Sequence, residues 1–184
     1  MGLFPIQPTG GTVKINYYRA NTQQAIYLHD PVVLESAGLV VVAKCGSANA
    51  IIGSAEVFLD INLGGPADTT GKSYLPVNTE GYVGVADDPN QRFLIEEDTG
   101  GTALTQSAVG SCADFTYIAT TGDTVTGLST VVLDRSGIDA TSGQFQLLGI
   151  LYADDNAFGN YCKWIVRINK HQLGTLISGI QAGV

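Results

Sequence analysis

Residues 12–18 read Thr-Val-Lys-Ile-Asn-Tyr-Tyr, and apolar side chains alternate with polar ones along this stretch. Val13, Ile15 and Tyr17 would lie on one face of an extended chain, which is the period-two pattern of a half-buried β-strand. Short stretches that also favour strands follow at close intervals. They are residues 25–28, 32–34, 39–44, 55–61, 82–86, 92–97, 115–120, 129–133, 144–152 and 163–168.

Turn-forming residues separate these stretches, as in Glu35-Ser36-Ala37-Gly38 and Asp87-Asp88-Pro89-Asn90. Many short strands joined by glycine-rich turns predict an all-β fold, either an antiparallel β-barrel or a sandwich. Two longer connections, residues 64–80 and 98–114, have the length at which loops are usually functional or interfacial.

Helical spacing occurs only near the C-terminus, at Leu173, Leu176, Ile177 and Ile180. Gly174 and Gly179 weaken this pattern, so a short C-terminal helix, a strand and an irregular tail all stay open.

The composition points to one neutral, turn-rich domain. Only 14% of the 184 residues are charged and 23 are glycine, which argues against a coiled coil or a helical bundle. The 9 basic residues are scattered singly among 17 acidic ones, so we expect no nucleic-acid groove. The longest clean apolar run, residues 39–43, is too short for a membrane span, and the N-terminus has no signal-peptide pattern. Folding in a cytoplasm is the default expectation.

Residues 1–11 contain two prolines and three glycines and cannot form a helix or a stable strand alone. We therefore expect an extended N-terminal arm, followed by a single β-rich domain over residues 12–184. The arm carries three apolar side chains with no local partner, Leu3, Phe4 and Ile6. It is either a frayed terminus or an arm that docks these side chains on a neighbouring subunit.

No catalytic, cofactor or metal motif stands out. There is no Gly-x-Ser-x-Gly and no Walker loop, and His29 and Asp30 would point to opposite faces of a strand. His171, in a polar cluster that closes the last strong strand, is expected to be a turn or interface hydrogen-bonding group. The acidic groups at 87–88, 96–98 and 154–156 lack the spacing of a calcium loop. We expect an interaction protein and not an enzyme.

Two further residue types have a structural interpretation. Cys45, Cys112 and Cys162 are an odd, widely spaced set without Cys-x-x-Cys, so we interpret them as small buried hydrophobic residues. Trp164, the single tryptophan, lies inside a strand pattern and is expected in the core.

The second half of the chain resembles the small head decoration (cement) proteins of tailed bacteriophages in texture and order. The resemblance covers roughly residues 80–173. It is carried by the runs Arg92-Phe93-Leu94-Ile95-Glu96-Glu97-Asp98, Val109-Gly110 with Ala113-Asp114, Thr124-Val125-Thr126-Gly127-Leu128-Ser129, Leu133-Asp134, Gln144-Phe145-Gln146-Leu147-Leu148-Gly149-Ile150, Asp154-Asp155-Asn156, Trp164-Ile165-Val166-Arg167-Ile168-Asn169 and His171-Gln172-Leu173.

The resemblance implies a virion protein made in the host bacterial cytoplasm. It would bind the major capsid protein on the outer capsid surface, commonly as a homotrimer, and stabilise the head. No family motif assigns residues, so the interface candidates Leu3, Phe4, Ile6 and His171 rest on their chemistry alone. Two alternatives stay open: a tail-associated or receptor-binding β module that recognises a host surface glycan, and a small hydrolase on a jelly-roll scaffold that uses His29 or His171. The glycan module would need exposed aromatics in the long loops, where the sequence offers Tyr74 and Tyr82.

Overall fold

A computed structural model describes residues 2–7, 11–61 and 73–174, and of residues 119–121 it describes the backbone alone. The described chain is built from strands and one short 3-10 helix, Gln106–Ala108. The strands are β1 (Phe4–Pro5), β2 (Asn16–Arg19), β3 (Ile26–Tyr27), β4 (Pro31–Leu34), β5 (Val40–Val42), β6 (Gly53–Asp60), β7 (Tyr74–Leu75), β8 (Gly81–Ala86), β9 (Arg92–Glu96), β10 (Cys112–Ala113), β11 (Phe115–Gly122), β12 (Ser129–Leu133), β13 (Phe145–Ile150) and β14 (Lys163–Ile168).

Two five-stranded sheets form the frame. Sheet I has the order β1-β9-β14-β13-β10, and sheet II has the order β2-β8-β6-β4-β5. The remaining strands pair as two ribbons, β3 with β7 and β11 with β12, and all of these pairings are antiparallel. The predicted all-β antiparallel fold is confirmed. Since no closed barrel forms over the described strands, the arrangement is that of a sandwich.

Each sheet has its own hydrophobic core. The core of sheet I contains Trp164, which is fully buried as predicted, together with Phe93, Phe115 and Phe145. Valine is the commonest residue in the core of sheet II, which also contains Ile26 and Phe58. Tyr117 on β11 packs against both cores, so the β11–β12 ribbon links the two sheets.

The predicted first strand is displaced along the chain. β2 begins at residue 16, after Val13 and Ile15, which pack against the core of sheet I from irregular backbone. Tyr18 packs against the core of sheet II, whereas Tyr17 is half exposed. Ile15 and Tyr17 both lie over Gly84 of β8, so they share a face as the alternation predicts, but that face is half exposed at Tyr17.

The N-terminal segment is an edge strand and not an arm without local partners. Phe4 and Pro5 pair with Leu94 and Phe93 of β9, and the Leu3 backbone N–H donates to the His29 carbonyl oxygen at 2.9 Å. The Leu3 side chain is fully buried in the core of sheet I. The expectation that these apolar residues lack partners in their own chain was wrong because β9 offers a free sheet edge. The C-terminal stretch 173–180, for which a short helix, a strand and an irregular tail stay open, falls mostly outside the described residues, which end at Gly174.

Candidate functional site: the outer face of sheet I

One row of apolar side chains crosses the face of sheet I that points away from the core. Paired residues in antiparallel strands project to the same face, and Phe4 pairs with Leu94, which pairs with Ile165. Phe4 is 47% exposed, Leu94 and Ile165 are half-buried, and Leu148 at the bulge in β13 is also exposed. We call Phe4, Leu94, Ile165 and Leu148 the apolar row.

Two arginines lie beside the apolar row. Arg92 on β9 pairs directly with Arg167 on β14, and both are exposed. Arg167 donates to Gln146 Oε1 at 2.8 Å, and among the described residues neither guanidinium lies within ion-pair distance of a carboxylate. Like charges directly opposite each other destabilise a sheet, so this pair has no evident role in folding.

A loop with exposed aromatic rings continues from the same sheet. Residues 151–162 connect β13 to β14, and we call them the aromatic loop. Tyr152 is 94% exposed, Tyr161 60% and Phe158 39%. Tyr161 also has a left-handed backbone, with φ of 63°, which is rare for a bulky residue and clusters at functional sites.

The backbone of the aromatic loop is held in place from inside. Asn156 donates to the carbonyl oxygens of Leu151 and Lys163 at 2.8 and 3.1 Å, and its Oδ1 accepts from the Lys163 N–H at 2.8 Å. The Phe158 ring lies 5.7 Å from the Trp164 ring, centroid to centroid. The exposed rings are therefore carried on an ordered backbone.

A buried ion pair ties this loop to its neighbours. Glu97 is fully buried and accepts from Trp164 Nε1 at 2.8 Å, from the Leu104 N–H at 3.0 Å and from Arg135 Nη1 at 3.2 Å. Arg135 also donates to Asn160 Oδ1 in the aromatic loop and to two carbonyl oxygens of the 98–104 loop. Burial and the nearby Glu97 raise the pKa of Cys162 to about 11. A single polar network around Glu97 and Arg135 therefore holds the aromatic loop against the 98–104 loop.

The structure separates the four predicted interface residues. Phe4 and the half-buried Ile6 belong to the strip of chain at the edge of the outer face, where the Ile6 N–H donates to the Arg92 carbonyl oxygen at 2.8 Å. Leu3 points inward. His171 bridges to Ile51 beside sheet II, and its Nδ1 accepts from the Leu173 N–H at 3.0 Å. Burial lowers the pKa of His171. Of the four residues, only Phe4 and Ile6 therefore lie together on one surface, at the edge of the outer face of sheet I.

The second histidine supports the N-terminal strand. The His29 ring meets the Phe4 ring edge-on at 4.9 Å, and its Nδ1 lies 3.2 Å from the Glu56 carboxylate. The Ser54 hydroxyl donates to Glu56 at 2.6 Å. Since this hydroxyl bonds the carboxylate and not the ring, the group lacks the nucleophile–base contact of a catalytic triad.

Other candidate chemistry is sparse in the described part of the chain. It holds no group of three or more His, Cys, Asp or Glu side chains suited to a metal ion. Asp87 accepts hydrogen bonds from Asn16 and Tyr18, and Asp88 pairs with Lys14 at 3.7 Å. Of the three cysteines, Cys112 and Cys162 are buried as expected, whereas Cys45 is exposed.

A cavity of about 440 Å³ opens beside β5. It is bordered by Val33, Val41 and Tyr117, and Glu35 and Lys44 are among its polar groups.

No helix within the ranges that the structure describes is long and apolar enough to cross a membrane.

Comparisons with protein-family models, with curated proteins and with solved structures find no match to this chain. The site is therefore defined by its own geometry.

Sequence reasoning missed the most exposed parts of this surface. The alternation Arg92, Leu94, Glu96 and the matching Lys163, Ile165, Arg167 already mark the outward residues of two strands. Pairing them needs the strand order, which the sequence does not contain. Tyr152, Phe158 and Tyr161 were visible as aromatic residues around a turn-rich segment, but the end of the predicted strand was placed at residue 152.

Proposed function

We propose that the protein is a structural component of a tailed-phage head that binds the outside of the capsid and bridges capsomers, working as a trimer. The observation that carries the proposal is the outer face of sheet I, where an apolar row adjoins two arginines that have no carboxylate partner among the described residues. Such a face is suited to contact with another protein surface, because apolar area and arginine are both favoured at interfaces.

The physical role follows from selective binding. A protein that binds the mature capsid lattice and no other state stabilises that lattice by mass action. Three linked copies strengthen weak contacts further when they can engage together. An ordered scaffold suits this role, because little conformational entropy is lost when a rigid surface binds.

The test uses undecorated heads of the phage that encodes the chain. We expect the purified protein to sediment with these heads and to raise the temperature at which they release DNA. Ile165→Asp places a carboxylate in the apolar row and should weaken binding at least tenfold. Val125→Asp is the matched control, since Val125 is 91% exposed at the tip of the β11–β12 ribbon, outside sheet I.

Two results would contradict the proposal. Wild-type protein that stays in solution at all head concentrations would remove the capsid role. Equal loss of binding in both aspartate variants would show that the outer face of sheet I has no special part.

A second candidate, recognition of a host surface glycan, is favoured by the aromatic loop. Exposed Tyr152 and Tyr161 could stack on sugar rings while Asp154 accepts hydrogen bonds from hydroxyls. This function predicts retention on host lipopolysaccharide that Tyr152→Ala and Tyr161→Ala abolish. No retention of the wild type would exclude lipopolysaccharide as the receptor.

A further inference from the structure

Within the part of the chain that the structure describes, no carboxylate lies within ion-pair distance of the arginine pair on sheet I. The chain has a net charge of −8, so acidic residues are more abundant than basic ones, and a carboxylate beside Arg92 or Arg167 would be expected. Among the described residues, Arg167 instead has the neutral Gln146 as its partner on β13, opposite the side on which it pairs with Arg92. The unpaired cations thus mark a place where an external acidic group can bind.

The aromatic loop has the complementary chemistry. Asp154 and Asp155 are exposed and lie two and three residues from the exposed Tyr152 ring. A carboxylate pairs with a guanidinium through charge-assisted hydrogen bonds, and a tyrosine ring stacks on its flat face. The aromatic rings and aliphatic groups of this loop would also cover the apolar row.

The loop cannot reach the arginine pair of its own chain. It joins β14 at Lys163, where Asp155 lies 3.6 Å from the Lys163 ammonium. Arg167 lies four residues further along the same strand, roughly 13 Å away at the usual strand rise. Because Asn156 fixes the loop at the Lys163 end, the carboxylates of this loop can meet such an arginine pair only on another molecule.

We infer that the aromatic loop of one copy of the chain docks on the apolar row and arginine pair of a second copy. The inference deepens the proposed function and rests on it. It assigns the outer face of sheet I to the contact between copies, so that Ile165→Asp weakens head binding by dissociating the oligomer whose copies bind the head together. Each copy carries both surfaces, so the contact can close into a dimer or a ring. Elsewhere the acidic surfaces of two copies repel, which favours this one orientation.

The experiment measures the mass of the full chain by light scattering over a dilution series, at low and at high salt. A face variant carries Arg92→Glu and Arg167→Glu, and a loop variant carries Asp154→Lys and Asp155→Lys. A combined variant carries all four changes. The control, Lys14→Glu with Arg19→Glu, changes the net charge as much as the face variant does, but it alters exposed residues at or near β2.

We expect the wild type, the control and the combined variant to reach three times the 19.3 kDa of the chain. The face and loop variants should each dissociate at protein concentrations at least tenfold higher, and salt should weaken the wild-type oligomer. The face variant keeps two like charges opposite each other, so its sheet has the same internal repulsion as the wild type. Unchanged circular dichroism and melting temperature verify its folding.

Three results would overturn the inference: a wild-type monomer at every concentration, a control that dissociates as the face variant does, or a combined variant no stronger than the single-surface ones. Head binding is measured separately. A monomeric wild type that still binds heads would overturn the inference alone, whereas an oligomer that ignores heads would overturn the capsid proposal alone.

Discussion

Substitution of Asp30 by Asn should change how the stability of the protein depends on pH. Asp30 is completely buried in the tight turn between β3 and β4. Its Oδ2 accepts from the Tyr27 N–H at 2.8 Å, whereas its Oδ1 has no hydrogen-bond partner in the described chain. Burial raises the pKa of Asp30 from 3.8 to about 7, against hydrogen bonds from the Ser129 side chain and the Tyr27 backbone that lower it.

The size of the effect follows from linkage. The folded protein holds a proton on Asp30 that the unfolded chain has already lost between pH 4 and pH 7, so folding stability falls as the pH rises through this range. A pKa difference of about three units corresponds to roughly 4 kcal/mol of stability lost above pH 7. Between pH 5 and pH 8 this group alone accounts for about 3 kcal/mol, or roughly 8 °C in melting temperature.

The assay is thermal or urea unfolding at pH 5, 6, 7 and 8 for the wild type, Asp30→Asn and the control Glu80→Gln, which also replaces a carboxylate by an amide. Asparagine cannot ionise, so the Asp30→Asn curve should be flatter than the wild-type curve by about 3 kcal/mol over this range. Any constant cost of the new amide group cancels, since only the slope is compared. The control, which changes an exposed residue, should follow the wild type. Parallel curves for wild type and Asp30→Asn would refute the reasoning.

Three further outcomes are expected. Leu3→Ala should cost about 2–5 kcal/mol in urea unfolding because it leaves a cavity in the core of sheet I, and a change below about 0.5 kcal/mol would show that the N-terminal strand is not docked. Glu97→Gln should cost about 3–5 kcal/mol because it leaves the buried Arg135 with only Asp98, 3.5 Å away and less buried, as a charge partner; full stability in the same assay would mean that Asp98 and the carbonyl groups suffice. A thiol reagent at pH 8 should label Cys45 alone in the folded protein and all three cysteines in denaturant, so rapid labelling of Cys112 would contradict its burial.

The fold class could be predicted from local patterns alone. Residues 129–133 and 163–168 have the bounds that alternation and turn residues indicate, because each strand there is long enough to show its own period. The strands that were missed, β1, β7 and β10, have two residues each. A two-residue strand has no period, and only the free edge of a neighbouring strand makes it extended.

The candidate site was harder to predict because it depends on strand order. Arg92 and Arg167 are 75 positions apart in the sequence and become direct neighbours only when β9 pairs with β14. Nothing in either local stretch specifies that pairing. The interface expectation for Phe4 and Ile6 remains a prediction, but the structure gives these residues a defined surface to act on. His171 lies beside the other sheet and would need a contact of its own.

The N-terminal strand contributes both to the core and to the proposed interface, so an experiment on this strand has to change one contribution without the other. Leu3 fills the core and Phe4, one residue later, lies on the outer face, because successive residues of a strand point to opposite sides. Deleting residues 2–8 would remove both, so a loss of binding would not show which side matters. Phe4→Ser leaves Leu3 and the backbone pairing with β9 in place. The comparison of Phe4→Ser with Leu3→Ala therefore assigns an assembly defect to the outer face and a stability defect to the core.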